Sequence, residues 1–260
     1  MPYSSKLTGK RALVTAGAQG IGLAISRELL ADGCDVFVHY HSSAEAARAL
    51  VAEAAKLGRR CGSAAADLTK PEECDRLVAE AVAFLGGLDI LVNNAGTMLP
   101  KRLLAQTDDN YWAETMSLNV GTMQRVTRAA EAHLAAAVPS GGGASIVNLA
   151  SVAGRKGGAP GTLAYSTAKG ATLAFTRALS EELGPKGIRV NALAPGLILG
   201  SQFHVIHTKP EAIPGIVAGI PIGRPGVTED VARAAAFLAA EFDGFINGAT
   251  IDVNGGAYRA

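Results

Sequence analysis

The chain has 260 residues, of which 48% are hydrophobic, and a formal net charge of +1. That length suits one large α/β domain or two small ones. No Pro/Gly/Ser-rich linker or abrupt charge shift divides it, so one domain over 1–260 is expected. Near-neutrality excludes the strong field that nucleic acid or an anionic membrane would select, and neither is expected as a partner.

In chain order, apolar β-branched runs predict strands at 12–15, 35–40, 61–66, 90–93, 144–149, 189–193 and 249–253. Helical periodicity begins between them near Ile21, Ala44, Pro71, Asp108, Ala164 and Thr228, several of these starts opened by Ser, Thr or Asp caps. Such alternation requires a doubly wound parallel sheet of about seven strands with helices on both faces. The short, nearly all-apolar strands fit burial on both sides. Residues 140–143, SGGG, read as a surface turn. The first residues lack the basic-then-apolar pattern of a signal peptide, and no stretch is long and apolar enough to span a membrane, so a cytoplasmic location is expected. Cys34, Cys61 and Cys74 form no CxxC pair. They read as apolar fillers in a reducing compartment, and no metal site is expected.

In a sheet of this kind ligands sit beyond the carboxyl ends of the strands. After the first strand comes TAGAQGIG, with Thr15, Gly17, Gln19, Gly20, Ile21 and Gly22. There glycines let backbone N–H groups and a helix N-terminus approach a pyrophosphate. The second strand ends in Tyr40, His41, Ser42 and Ser43, with Tyr40 where a site selecting NAD would place a carboxylate. That absence, with His41, Ser42 and Ser43 available to a 2′-phosphate, favours NADP(H) over NAD(H), although no Arg or Lys stands there. Asp67, with Leu68 beside it, follows the third strand and is placed either to accept from an adenine amino group or to cap the next helix. Asn93-Asn94-Ala95-Gly96 after the fourth gives a tight turn fit for the cleft floor.

Beyond the fifth strand stands Ser151, and fourteen residues later the segment YSTAK puts Tyr165 and Lys169 four apart on one helix face. A phenol titrates near 10, too weakly acidic for a base near neutrality, and an adjacent ammonium lowers that value. The segment 197–226 lacks clean periodicity and is bracketed by Pro and Gly, as a substrate lid would be. It carries Phe203, His204, His207 and Lys209, and nearby loops carry Lys101-Arg102 and Arg155-Lys156. So many cations around one cleft in a neutral protein predict a polar, anionic small-molecule substrate.

Taken together, TAGAQGIG, Asp67, NNAG, Asn119, Ser151, YSTAK, Pro195-Gly196 and the closing VNGG resemble the short-chain dehydrogenase/reductase family over nearly the whole chain. The resemblance implies a Rossmann-like domain, usually a homotetramer, that moves hydride between nicotinamide and a carbonyl or alcohol carbon. It implies a catalytic set of Asn119, Ser151, Tyr165 and Lys169. Tyr165 would deliver the proton, Ser151 would hold the substrate oxygen, and Lys169 would bind the nicotinamide ribose and depress the Tyr165 pKa. Asn119 would fix a helix distortion and a water linked to Lys169. Ala95, Pro195, Gly196 and Ile198 would complete the cofactor site.

Three departures stand out. Ala16 replaces the family's usual glycine after Thr15, with Gly17 expected to compensate. The Ser151–Tyr165 loop is one residue longer than the commonest spacing, and Gly200 stands where a Thr often contacts the carboxamide, with Ser201 as its substitute. The lid sequence SQFHVIHTKPE is similar to that of reductases of uronate-derived keto sugar acids such as 4-deoxy-L-erythro-5-hexoseulose uronate. The alternatives are a 3-oxoacyl-thioester reductase, a sugar or polyol dehydrogenase, and a non-catalytic nucleotide sensor.

Overall fold

The computed structural model describes residues 7–138, 143–240 and 244–259; most of the turn expected at 140–143 lies outside them. The chain begins β1 (Arg11–Val14), α1 (Gly20–Ala31), β2 (Asp35–Tyr40), α2 (Ala44–Lys56), β3 (Cys61–Ala65), α3 (Pro71–Leu85) and β4 (Ile90–Asn93). It continues with α4 (Asp109–Met116), α5 (Thr122–Ala137), β5 (Ala144–Leu149), α6 (Val152–Lys156), α7 (Leu163–Leu183) and β6 (Ile188–Pro195). The last part holds β7 (Ile198–Leu199), α8 (Gln202–His207), α9 (Ile213–Ala218), β8 (Gly226–Val227), α10 (Thr228–Ala240) and β9 (Thr250–Val253).

The seven predicted strands form one parallel sheet in the order β3-β2-β1-β4-β5-β6-β9. Strand order reverses between β1 and β4, which pair through Val14 and Val92, so their carboxyl ends open the crevice where such sheets bind ligands. Alternate residues of these strands feed two separate cores. Ala12, Val14, Ile90 and Val92 pack under α1, α2 and α10, with Ile25, Leu29, Leu50 and Val231. Leu13, Leu91 and Ile146 face α3 and α5 through Leu77, Val78, Val126 and Leu134. Burial on both faces explains why the strands read as continuous apolar runs.

A polar chain crosses the second core. Asn93 Nδ2 donates to Thr127 Oγ1 and to Asn148 Oδ1, and Asn148 Nδ2 donates to Thr176 Oγ1. It ties β4 and β5 to α5 and α7, the two helices that lead to the predicted catalytic residues. Cys34, Cys61 and Cys74 are free, buried thiols, each pushed up by desolvation, as expected of inert fillers. Among the described residues no helix is long and apolar enough to cross a membrane.

Between the end of β6 and α10 the expected lid contains regular structure that periodicity did not reveal. Strands β7 and β8 pair in parallel and close its base, while α8 and α9 form its arch. These elements are only two to six residues long, too short to write a period into the sequence.

Candidate active site

The turn after β1 is stapled to the turn after β4. Thr15 Oγ1 accepts from the backbone N–H groups of Asn94 and Ala95, both at 2.9 Å, and donates to the Val92 carbonyl. Asn94 Nδ2 donates back to the carbonyls of Thr15 and Ala16. Gly22 is required by contact, since a Cβ there would lie 2.2 Å from the Ala16 carbonyl oxygen. Gln19 flanks the start of α1 without a side-chain cap, and no acidic residue stands in its first turn. This helix N-terminus suits an anion.

Gly17 does not compensate for Ala16 in the way expected. Ala16 itself takes the left-handed backbone, φ +48°, and is the only non-glycine residue among those described to do so. Gly17 is needed for a different reason: a Cβ on it would sit within 2.9 Å of Val14, Ser26 and Val38 atoms.

Tyr40, His41, Ser42, Ser43, Asp67 and Leu68 line one hollow of about 240 Å³ together with Ala16, Gln19, Ala95 and Gly96. No Lys or Arg lines it among the described residues. Ser43 Oγ donates to Gln19 Oε1 at 2.9 Å, closing the rim between β2 and α1. Asp67 does not cap α3, whose flanking residue is Lys70. Its Oδ1 accepts from Thr69 N–H and Oγ1–H, which holds the carboxyl below its usual range. The capping alternative is therefore excluded.

A larger cleft of about 660 Å³ continues from this hollow, sharing Ala16, Gln19 and Gly96 with it. Gly20, Ile21, Asn94, Ser151, Tyr165, Lys169, Pro195, Gly196 and Ile198 all line it. The long predicted helix from Asp108 is interrupted by a π-helical turn at Ser117–Gly121, with Asn119 at its centre and 2% exposed. Asn119 Nδ2 donates to the carbonyls of Thr115 and Thr97, which holds the widened turn against the loop after β4. Its buried Oδ1 accepts no hydrogen bond from the described residues. A Cβ on Gly96 would fall 2.7 Å from that oxygen and 3.3 Å from Lys169 Nζ, so the bare Gly96 backbone lets the two side chains converge.

Ser151 caps α6, accepting from Ala153 N–H, and its hydroxyl lines the same cleft as the Tyr165 phenol. The expected depression of the Tyr165 pKa is absent. Burial pushes the phenol up to about 12 against a smaller downward pull from Ser151. Lys169 Nζ lies 5.8 Å from the Tyr165 ring centre and donates to the Leu149 carbonyl at 2.8 Å, while burial brings the ammonium down to about 8. Burial disfavours the charged form of each group.

The cations divide into two sets. Lys101, Lys156 and Lys209 line the cleft together with His207, whose imidazole burial and Lys101 keep neutral. Arg155 does not: its guanidinium pairs with Asp252 and donates to the Thr250 carbonyl, anchoring α6 to β9. Arg102 is likewise held by Asp108 and the Tyr111 ring. His204 borders the cleft with Nδ1 bonded to Thr208 Oγ1, and burial lowers its pKa, so the imidazole offers an anion no charge near neutral pH. Phe203 packs 5.6 Å from the Tyr165 ring and 4.8 Å from His207, roofing the phenol. Ser201 reaches the cleft, with its hydroxyl donating to Ile198.

Sequence reasoning missed Gly154 and His39. A Cβ on Gly154 would strike the Lys169 backbone carbonyl at 2.5–2.6 Å, so α6 and α7 meet through bare backbone. His39 lies beneath the glycine-rich turn and accepts from Ala16 N–H. Neither carries a signal in its own segment, because each acts on an element distant in sequence.

The continuous trough from Asp67 to Tyr165, with bare backbone at Gly20 and Gly96, fits an extended dinucleotide whose nicotinamide end meets the Ser151–Tyr165 pair. A family model described as enoyl-(acyl carrier protein) reductase matches residues 15–258. An uncharacterized oxidoreductase of Mycobacterium tuberculosis is 37% identical over 96% of this chain and 93% of its own length. The 3-oxoacyl-[acyl-carrier-protein] reductase FabG of Haemophilus influenzae is 34% identical over 97% and 99%. Among solved structures, an NADH-dependent reductase responsible for alginate metabolism superposes with a TM-score of 0.89 at 32% identity, over 98% of this chain and 100% of that one. A short-chain dehydrogenase from Burkholderia cenocepacia in complex with NADP gives 0.88 at 35% identity, over 97% and 99%. The chain belongs to the short-chain dehydrogenase/reductase family and is a nicotinamide-dependent oxidoreductase.

Proposed function

We propose that the protein reduces the carbonyl of a small anionic keto sugar acid of the uronate-derived type, with NADPH preferred over NADH. The observation that carries this reading is the convergence of Lys101, Lys156, His207 and Lys209 on the cleft that holds the Tyr165 hydroxyl. Three lysines facing one substrate space, with the His207 imidazole kept neutral by burial and by Lys101, favour a carboxylate. The likeness to a reductase responsible for alginate metabolism supports the sugar-acid class. Tyr40 in place of a carboxylate supports NADPH.

Bound nicotinamide supplies the hydride. Tyr165, protonated well beyond neutral pH by its burial, gives its proton to the substrate oxygen, and the Ser151 hydroxyl bonds the same oxygen as charge grows on it. Lys169 holds the nicotinamide ribose from the floor of the cleft, and Asn119 maintains the π turn that brings its own carbonyl oxygen near Lys169. Residues 197–226 act as the substrate lid of a single domain. The protein works as a cytoplasmic homotetramer, the usual assembly of its family.

A second reading is favoured by the identity with the 3-oxoacyl reductase: reduction of a 3-oxoacyl thioester in the same cleft. Steady-state oxidation of NADPH and of NADH should be compared with 4-deoxy-L-erythro-5-hexoseulose uronate, a neutral ketone and an acetoacetyl thioester. The uronate should give the highest kcat/KM, with NADPH ahead of NADH. Turnover of the thioester or the neutral ketone alone would reject the anionic substrate.

A further inference from the structure

We infer that His39 is the positioning residue of the phosphate-binding turn: its neutral imidazole holds Ala16 in the left-handed backbone that a glycine would adopt unaided. The inference rests on reading the Thr15–Gly22 turn as the dinucleotide cradle.

Three hydrogen bonds fix the arrangement. Ala16 N–H donates to His39 Nδ1 at 2.9 Å, and the next donor, Gly17 N–H, goes to the His39 carbonyl at 2.9 Å. His39 Nε2 lies 3.0 Å from the Ala66 carbonyl oxygen. A backbone N–H can only donate and a carbonyl only accept, so Nδ1 is the bare nitrogen and Nε2 carries the hydrogen. One residue of β2 thus receives two successive donors of the turn and braces it against the end of β3. The side chain is 3% exposed, and burial lowers its pKa, as does the neighbouring His41. A second proton on the ring would set N–H against N–H at Ala16.

The consequence follows from the Cβ on Ala16. Ala16 lines both the nucleotide hollow and the catalytic cleft, and its φ of +48° is unfavourable for a residue with a Cβ. Leaving its N–H without an acceptor would release the turn toward ordinary backbone and shift the N–H groups meant for the pyrophosphate. His39 touches neither substrate nor the reacting atoms, so its loss should appear in cofactor affinity and leave turnover at saturation unchanged.

Two substitutions separate the two ring nitrogens. His39→Asn keeps an acceptor at the position of Nδ1 and loses the donor to Ala66. His39→Gln keeps a donor near Nε2 and loses the acceptor for Ala16. Titration of each with NADPH and NADH should leave the Asn variant within about threefold of the unmodified protein and weaken the Gln variant about tenfold, with kcat of both within about twofold. Equal affinities in the two variants, the reverse order, or a loss confined to kcat would overturn the role. Nitrogen-15 spectra of the unmodified protein at neutral pH decide the matter without a variant. A His39 ring protonated on Nε2 alone is expected, and the opposite tautomer or a doubly protonated ring would refute it. Failure of the unmodified protein to bind either dinucleotide would instead refute the reading of the cleft, and the spectrum would still report on the turn.

Discussion

Tyr165 and Lys169 are poised differently from what their spacing alone implies. A Lys one turn from a Tyr suggests an acidified phenol, yet both groups are taken out of water and each shifts toward its neutral form. A protonated phenol suits proton delivery to a carbonyl, the reductive direction. The Lys169 shift also has a consequence for stability. Its ammonium titrates near 10.5 when unfolded and at about 8 when folded, so within that interval the unfolded chain binds more protons and native stability rises with pH. The slope is at most about 1.4 kcal/mol per pH unit for one group. Tyr165, raised to about 12, acts in the opposite sense only above its ordinary value of 10.0. Lys169→Met removes the Lys contribution, so denaturant unfolding of the two proteins should show the unmodified chain gaining on the variant between pH 8 and 10. A constant difference would mean that Lys169 keeps its ordinary pKa in the fold.

At the scale of elements, the site depends on two helices meeting almost without side chains. Gly154 of α6 lies against the backbone of Lys169 and Gly170 in α7, and this contact fixes Ser151 relative to Tyr165. Gly154→Ala should push α6 away, lowering stability by about 1–3 kcal/mol and lowering kcat, while dinucleotide affinity changes little. Thermal unfolding and steady-state kinetics check both parts. Unchanged kcat would show that α6 does not position Ser151. Such dependence on a distant backbone is what a linear reading cannot see. The strands, the starts of α1, α2, α3, α4 and α10, and the YSTAK helix were legible because their signals are local: an apolar run, a proline at the first turn of α3, and the cap Asp108 gives α4. The π turn at Asn119 was anticipated only through family likeness, since its cause is the pair of carbonyls, Thr97 and Thr115, that one amide bridges. Of two adjacent cation pairs, sequence could not say which member turns inward. The answer lies with Asp252 and Asp108, which hold Arg155 and Arg102 away from the cleft and leave Lys156 and Lys101 facing it.

Across the whole molecule, the reversal of strand order between β1 and β4 sets the crevice; the segments after β1 to β6 lie at the carboxyl edge of the sheet, and helices bring Asn119, Tyr165 and Lys169 to it. One parallel sheet thereby gathers residues from Ala16 to Ile198 along a single trough. In the proposed reading its two ends do separate tasks: the end near Asp67 and Tyr40 takes the nucleotide, and the end near Tyr165 takes the reacting carbonyl. The division is tested most directly with Tyr165→Phe, which keeps the buried ring and removes its proton. Dinucleotide affinity measured by fluorescence titration should stay within about threefold of the unmodified protein, while kcat for carbonyl reduction falls by a factor on the order of 10² to 10⁴. Turnover that survives the loss of that hydroxyl would contradict Tyr165 as the proton donor.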